Sequence, residues 1–595
     1  MSATHRMNKV RPNRRGDTAR MNGQLQARWS LALTGALGGA LMWALVEAAD
    51  KGWLGDRLGL ILGTLIGTGF ATTLAMAGPI GLGRAALRGA GLAVVTAALV
   101  ALATLRYVDP GDIFNTPMPA LAALTVAALP VPFLLAIARP GWQDYPALFL
   151  EAWSIVVRYA AAWAFAGLVW LVIFLSDEVL KLVGVTVIGD LLDHDLVPLA
   201  VTGAVLGFGL AVVHELAEML SPQLLLRLFR LLLPVVLAVM LVFLVALPFR
   251  GLDGLFQGLS PALLLLAMVG AGVGLVSVAI DRSDAEAAQS PVLRRAAQGM
   301  ALVLPLLAAL ALWAIWLRVG QHGWTPERVF LALVGLIGAG YGLVYAVAVL
   351  RGAAWMARIR RGNLGMALVV IAVAALWLTP ILNAEAISAR AQLARFEAGK
   401  TAAEDLDIYA LQSWGKPGAA VMAVLEARAK EPGNEALAAR LAGTSDPTGK
   451  GRAALVAALV AVLPVQPTSS TGTRDMLLSA ADDYLLEDWE RVCARTLETG
   501  APACVLQVAD LLPGQPGEEA VLMLERSPDY VDILGLYLDG SGMLVQRGMV
   551  RADGGYLSPT EGAAMLRAAQ ASPLPLTPAL LNQLGTGATG VLMLP

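Results

Sequence analysis

Charge is scarce in this chain. Only 15% of its 595 residues are Asp, Glu, Lys or Arg, against about 25% in an ordinary soluble domain, and the deficit falls almost entirely in the first two thirds. The 43 basic and 45 acidic residues nearly cancel. They are also sorted by region, so no groove-sized basic patch survives outside the ends of the apolar runs, and nothing favours a nucleic-acid partner. Inside those runs ionisable residues are scarcer still: Glu47 with Asp50, Asp177 with Glu178, and Asp281 all sit at run ends. A carrier driven by protons or sodium usually holds a carboxylate within the bilayer, and its absence counts against that class. Catalytic signatures are lacking too. There is no Walker loop, no G-x-S-x-G elbow and no dinucleotide fingerprint in a strand–turn–helix context.

What the chain has instead is a succession of long apolar runs, 57% of it being hydrophobic. A helix needs about 20 apolar residues to cross the hydrocarbon core. Runs of that length fall near 29–49, 58–78, 86–105, 118–138, 196–213, 231–249, 260–280, 300–317, 329–350 and 364–382. A further stretch from Tyr145 to about Ser176 exceeds one crossing. It divides into an interfacial helix over 146–157 and a span beginning after Arg158. The expectation is about eleven crossings, with ten as the alternative if the third or fourth run is re-entrant. The fourth run, with Pro117, Pro119, Pro130 and Pro132, is the best candidate for a broken helix. Glycines crowd the second and tenth runs, where small residues let helices approach closely.

Basic residues orient the bundle. A tail over 1–28 carries Arg6, Lys9, Arg11, Arg14, Arg15, Arg20 and Arg28 against a lone Asp17, and it reads as a disordered cytoplasmic tail rather than a cleaved signal. With that tail inside, the inner connectors hold Arg84, Arg88, Arg139, Arg158, Arg227, Arg230, Arg282, Arg294, Arg295, Arg351, Arg358, Arg360 and Arg361. The outer connectors hold only Lys51, Arg57, Arg106, Lys181, Arg250, Arg318 and Arg328. Inside exceeds outside roughly three to one. An odd number of crossings then puts the C-terminal domain outside.

Four histidines supply the remaining chemical candidates. His214-Glu215-Leu216-Ala217-Glu218 superficially resembles a zinc-protease helix. Such a helix needs a second His where Glu218 stands, so the cluster reads as polar residues ending the sixth span. Asp190, Asp193, His194 and Asp195 gather in an outer connector, and His322 lies near Glu327 in another. The default reading of each is a solvated loop, and no catalytic, cofactor or metal site is expected.

Two stretches carry a family resemblance. RVGQHGWTPER at 318–328 feeds the tenth span, and AISARAQLARFEAG at 386–399 precedes DLDIYALQSWG at 405–415. With looser likeness over 149–195 and 248–281, they resemble the bacterial membrane proteins grouped as domain of unknown function 4153. The resemblance covers about 149–415. It implies a many-helix inner-membrane protein of a Gram-negative bacterium, and no reaction, substrate or catalytic residue.

The expected fold is an all-α polytopic bundle over 29–383, followed by a helical extracytoplasmic segment over 384–472 and a soluble α+β extracytoplasmic domain over 473–595. Strand patterns occur at 504–509, 520–525, 531–539 and 543–550, with Asp539-Gly540-Ser541-Gly542 as a hairpin turn. A small antiparallel sheet follows, with a helix near 560–569 packed on it and a terminal strand near 589–594 completing it. The Asp510–Glu519 loop lacks calcium-ligand spacing, because Leu512 and Pro516 occupy ligand places. Cys493 and Cys504 are the only cysteines. In an oxidising compartment they would form a disulfide worth about 3 kcal/mol. The favoured function is a non-enzymatic envelope scaffold, sensor or assembly factor. Its partners are the lipid bilayer and an envelope protein or lipid. The alternatives are a carrier or flippase for an uncharged or lipidic substrate, and a membrane-embedded transferase.

Overall fold

The computed structural model describes residues 14–137, 141–215, 222–250, 261–403, 405–442, 452–497, 499–512, 518–527, 530–539, 542–549, 557–577, 583–584 and 591–592. They form two compact units, Met1–Thr401 with Ala410–Met422, and Ala402–Tyr409 with Ala423–Pro595.

The first unit is built of α1 (Arg14–Asp50), α2 (Asp56–Ile80), α3 (Leu82–Thr104), α4 (Met118–Ala128), α5 (Val131–Ala136), α6 (Tyr145–Leu182) and α7 (Val187–Leu192). It continues with α8 (Leu196–Glu215), α9 (Pro222–Arg250), α10 (Pro261–Ile280), α11 (Pro291–His322), α12 (Pro326–Leu350), α13 (Trp355–Trp377) and α14 (Ala384–Glu397). Counting α4 with α5 as one, eleven helices among the described residues are long and apolar enough to cross a membrane. The protein is therefore a multi-pass membrane protein, because only hydrocarbon accommodates so much outward apolar surface. Leu168, Val172, Val239 and Val242 are more than half exposed on such helices.

Two expectations are corrected and a third is met. The segment 145–182 is one uninterrupted helix of 38 residues. Its only proline, Pro146, sits in the first turn, where proline is tolerated, and nothing breaks it at Arg158. The helix α1 starts at Arg14, inside the segment read as disordered, because a span already nucleated extends cheaply in both directions. The fourth span, the expected candidate for a broken helix, is interrupted at Leu129-Pro130, between α4 and α5, where proline removes a helix donor.

One close helix approach lies outside the glycine-rich second and tenth runs. Gly35 of α1 faces Gly203 of α8, while Gly39 of α1 faces the backbone of Leu199 and Ala200, and Gly207 of α8 faces that of Leu31 and Ala32. A Cβ at Gly35 would stand 1.9 Å from the Gly203 carbonyl oxygen, and one at Gly203 would stand 2.1 Å from that of Gly35. Backbone meets backbone here, the small-residue packing that substitutes for hydrophobic drive within lipid. By contrast a Cβ at Gly59 of α2 meets nothing within 4 Å. The rest of the bundle interdigitates ordinary side chains. Leu265, Met300, Leu304, Leu307 and Tyr345 form a fully buried core among α9 to α13.

The second unit adds α15 (Ile408–Ser413) and α16 (Gly415–Ala429), each shared with the first unit, and α17 (Glu435–Ala442), α18 (Arg452–Val462), α19 (Thr471–Ala480), α20 (Asp483–Cys493) and α21 (Pro559–Ala571). Its sheet has the order β1 (Val465–Gln466), β2 (Cys504–Ala509), β3 (Glu519–Ser527), β4 (Tyr530–Leu538) and β5 (Leu544–Gly548). The last four strands are antiparallel neighbours, and β1 adds a parallel edge beside β2. Both sheet faces are covered. Leu506, Leu522, Leu524 and Leu536 pack on α18, α19 and α20 through Leu459, Leu477 and Trp489. Val505, Val521 and Met523 pack on Leu566 and Ala569 of α21. Burial on two faces is why β2 and β3 read as unbroken apolar runs rather than alternating ones. The terminal strand β7 (Val591–Leu592) pairs with β6 (Gln583–Leu584) and stands apart from the five-stranded sheet, contrary to expectation. Cys493 and Cys504 form a disulfide with Cα atoms 5.1 Å apart, tying the end of α20 to the start of β2.

Replacing Gly203 by alanine is expected to lower stability by about 1–3 kcal/mol, the range for overpacking a tight contact. Gly59→Ala should be neutral. Thermal unfolding of the detergent-solubilised protein distinguishes them, and equal midpoints for the two variants would remove the backbone-contact argument.

Candidate functional site

Helix ends leave carbonyls without partners, and at a membrane edge those carbonyls must be satisfied by protein, lipid headgroup or interfacial water. Arginines do much of this work. At the end of α13, Arg106 donates to the carbonyls of Trp377 and Thr379, the latter at 2.5 Å. Its Nη1 lies 3.2 Å from Glu385 Oε2, with only 3% and 5% of the two side chains exposed. The Tyr107 hydroxyl donates to the other Glu385 oxygen at 2.7 Å. Burial first, then the Glu385 carboxylate, raises the Tyr107 phenol far above its ordinary range. Lys416 closes the knot, its backbone N–H on the Arg106 carbonyl at 2.8 Å and its ammonium on that of Leu105 at 3.0 Å.

Beside this knot the loop 318–328 meets the segment 386–399. From α14, Gln392 donates to the carbonyls of His322 and Trp324, both at 3.0 Å. Arg395 donates to those of Gly320 and Gln321 at 3.0 and 2.9 Å. Segment 386–399 thus caps the end of α11 and grips the loop 318–328. Gly323 turns there at φ 76°, with the ends of Arg395 and Gln392 where a Cβ would stand.

At the other end of α13, about 26 Å away at 1.5 Å per residue, Arg360 caps α10 through Ile280 O at 2.6 Å and Asp281 O at 2.9 Å, and reaches Asp284 at 2.7 Å. Arg230 pairs with Asp281 and donates to Val278 O at 3.0 Å and Glu286 O at 2.8 Å. Arg282 pairs with Glu286. Just beneath, Asn363 joins four helices: it accepts from Tyr345 at 2.6 Å and donates to Tyr145 and Ser277 at 3.1 and 3.2 Å. A cavity of about 840 Å³ opens here between α6, α9 and the α10–α11 connector.

The residues singled out from sequence do not converge on a reaction centre. Asp190, Asp193, His194 and Asp195 are all exposed, and Asp190 only accepts from Thr186 at 3.0 Å. His214 lies flat on Gly78, whose Cβ would stand 2.8 Å from the imidazole. Its neighbour Glu215 pairs with Arg28 at 2.5 Å, and Glu218 lies outside the described residues. His322 sits 3.4 Å from Arg318, not with Glu327, which is exposed in the first turn of α12. No group of three or more His, Cys, Asp or Glu among the described residues could hold a metal ion. Sequence reading missed Arg106 and Glu385. The available signal was a lone Arg directly after one span and a lone Glu directly after another on the same expected side.

The second unit holds a different kind of site. Between the α21 face of the sheet and α21 lies a cavity of about 690 Å³. Its walls include Val521, Met523, Ile533, Met549, Met565 and Leu574. Of its four polar lining side chains, Tyr530 is exposed and the other three are engaged. Asp532 binds Arg526 at 3.0 Å, Gln507 accepts from the Leu574 N–H at 3.0 Å, and Ser558 forms a capping box with Glu561 at the head of α21. Such a lining holds an apolar body and offers no unpaired charge.

Glu385→Ala strands the Arg106 guanidinium in a buried place and is expected to cost about 3–5 kcal/mol. Arg390→Ala, on an exposed position of the same helix, should change stability by less than about 0.5 kcal/mol. Thermal unfolding in detergent reads both, and a neutral Glu385→Ala would refute the knot's structural role. No protein-family model, no curated protein and no solved structure matches this chain.

Proposed function

We propose that this chain is a non-enzymatic, multi-pass protein of a bacterial inner membrane, whose α/β domain lies on the periplasmic side and binds the acyl chain of an envelope lipid as a sensor, scaffold or assembly factor. The single observation that carries the reading is the apolar cavity between the sheet and α21. Three methionines, Met523, Met549 and Met565, line it. Their unbranched, polarisable side chains adapt to a flexible ligand better than branched ones do. Because the one charged group at its wall, Asp532, is already paired with Arg526, a buried charged ligand would find no free counter-ion there. An uncharged chain loses nothing by entering.

Orientation is supported by the arginine distribution. The connectors at the Asp281 end hold Arg227, Arg230, Arg282, Arg294, Arg295, Arg358, Arg360 and Arg361, and such an excess marks the cytosolic side. Eleven spans then export the C-terminal unit, where the disulfide of Cys493 and Cys504 would persist. The bacterial inner membrane is what the resemblance to the domain of unknown function 4153 implies.

Two measurements test this. A reporter active only in the cytosol, fused after Pro595, should stay silent, and activity there would overturn the orientation. Full-length protein exposed to a photoactivatable fatty-acyl probe should be labelled on peptides carrying Met523, Met549 or Met565. Met565→Trp, which fills the cavity, should remove most of that label while leaving labelling of the spans intact. Labelling confined to the spans, or unchanged in Met565→Trp, would overturn the lipid reading.

A further inference from the structure

We propose that the cavity between α6, α9 and the α10–α11 connector is a binding site for an anionic phospholipid, its phosphate held by Arg227. The site is independent of the α/β domain and of the function proposed for it. Five charged residues line the cavity: Arg227, Arg230, Arg282, Asp281 and Glu286. Two pairs cancel. Arg230 is fixed to Asp281 and two backbone carbonyls, and Arg282 is fixed to Glu286. That leaves the exposed Arg227 as the one charged lining side chain without an ion-pair or hydrogen-bond partner among the described residues. The net lining charge is one positive, and a phosphate diester brings one negative.

The apolar part of the lining says what the phosphate is attached to. Leu150, Leu228 and Leu231 line the same cavity and are exposed, Leu228 and Leu231 at 62% each. Arg227 and Arg230 lie in the first turns of α9, whose apolar span runs from Leu225 to Phe249. Charge and exposed leucine therefore meet at the level where headgroup gives way to hydrocarbon. Trp153 stands at the same wall, its ring 6.4 Å from Phe149 and 6.1 Å from Phe229, an aromatic platform of the kind placed at headgroup depth. A soluble phosphate would have no use for exposed leucines, a lipid without phosphate would leave the guanidinium without a partner, and a zwitterionic one would bring its own cation into a lining that is already net positive. Basic pockets between spans, facing the arginine-rich side of a membrane, suit anionic headgroups on general grounds. Here the guanidinium geometry favours two parallel hydrogen bonds to one phosphate.

The test is native mass spectrometry of the intact protein with phosphatidylglycerol, phosphatidylcholine or inorganic phosphate added in turn. Phosphatidylglycerol should be retained in preference to phosphatidylcholine. Arg227→Gln should reduce that retention about fivefold, the worth of one basic side chain at a membrane surface. Arg361→Gln serves as control, since Arg361 is exposed on the same face and does not line the cavity. An equal loss in both variants would mean general attraction to the face and would overturn the site. So would retention of phosphatidylcholine to the same extent. Binding of inorganic phosphate that depends on Arg227, without preference for phosphatidylglycerol, would overturn the lipid assignment. Thermal unfolding of Arg227→Gln should match the parent without added lipid, which separates lost binding from lost folding.

Discussion

Arginine on the carbonyl ends of helices is the interaction on which the membrane unit depends. Each helix end exposes acceptors that hydrocarbon cannot satisfy, and in this protein a guanidinium from elsewhere in the chain often arrives to do so. Arg106 closes α13, Arg395 closes α11, Arg360 closes α10, and Arg88 reaches the Leu134 carbonyl of α5 at 2.5 Å. The geometry uses what arginine has and lysine lacks, several donors in a planar fork that can take two or three carbonyls at once. The helix dipole adds to it, since the carbonyl end is the negative one. Where the guanidinium is fully buried, as at Arg106, a carboxylate must come with it, and Glu385 does.

This changes how the basic residues are weighed. Arg106 and Arg328 count against the positive-inside pattern when read as loop charges. In the structure Arg106 is buried in a cap and Arg328 donates to Gly323 O at 2.7 Å. Charges committed to backbone carbonyls are part of the fold, and their side of the membrane follows from where the capped helix ends. The arginines free to report sidedness are the exposed ones, and Arg227, Arg294, Arg295 and Arg361 at the end that the charge count places inside outnumber Arg318 at the other.

Much of the architecture was legible because it follows from length. A run of apolar residues either is long enough to reach across hydrocarbon or is not, and among the described residues eleven are. The paired thiols and the β4–β5 hairpin were legible for a similarly local reason, proximity in sequence and glycine at a turn. The contacts between distant segments were not legible. Nothing in the local pattern of 29–49 says that Gly35 meets Gly203 and Gly39 meets Leu199 rather than lipid, since small residues in a span look alike whichever neighbour they touch. Strand β1 has two residues and pairs in parallel across a long connection, so periodicity could not find it. The break expected near Arg158 failed for a different reason: a polar residue in a long helix marks where the membrane surface lies, not where the backbone must turn. Arg158 sits level with the ends of α2 and α8, beside His214 and Gly78, and the helix simply continues past it.

The two cavities differ in a way that the placement of charge explains. In the α/β domain, sheet and helix already bury both of the sheet's faces, so the space between β3, β4 and α21 is bounded mainly by apolar side chains, and its one charged group, Asp532, is paired locally. At the Asp281 end of the membrane unit, the connector returns three acids to meet arginines from α9, α13 and the connector itself. Asp281, Asp284 and Glu286 can neutralise three guanidinium groups, and Arg230, Arg360 and Arg282 are those three. The count leaves Arg227 over, on an exposed helix turn beside leucines that face the same opening. A site of this kind needs no catalytic machinery to be selective. An unmatched charge set beside apolar surface discriminates among amphiphiles by the sign of the headgroup, and it does so at the one depth in a bilayer where both parts of the ligand can be satisfied together.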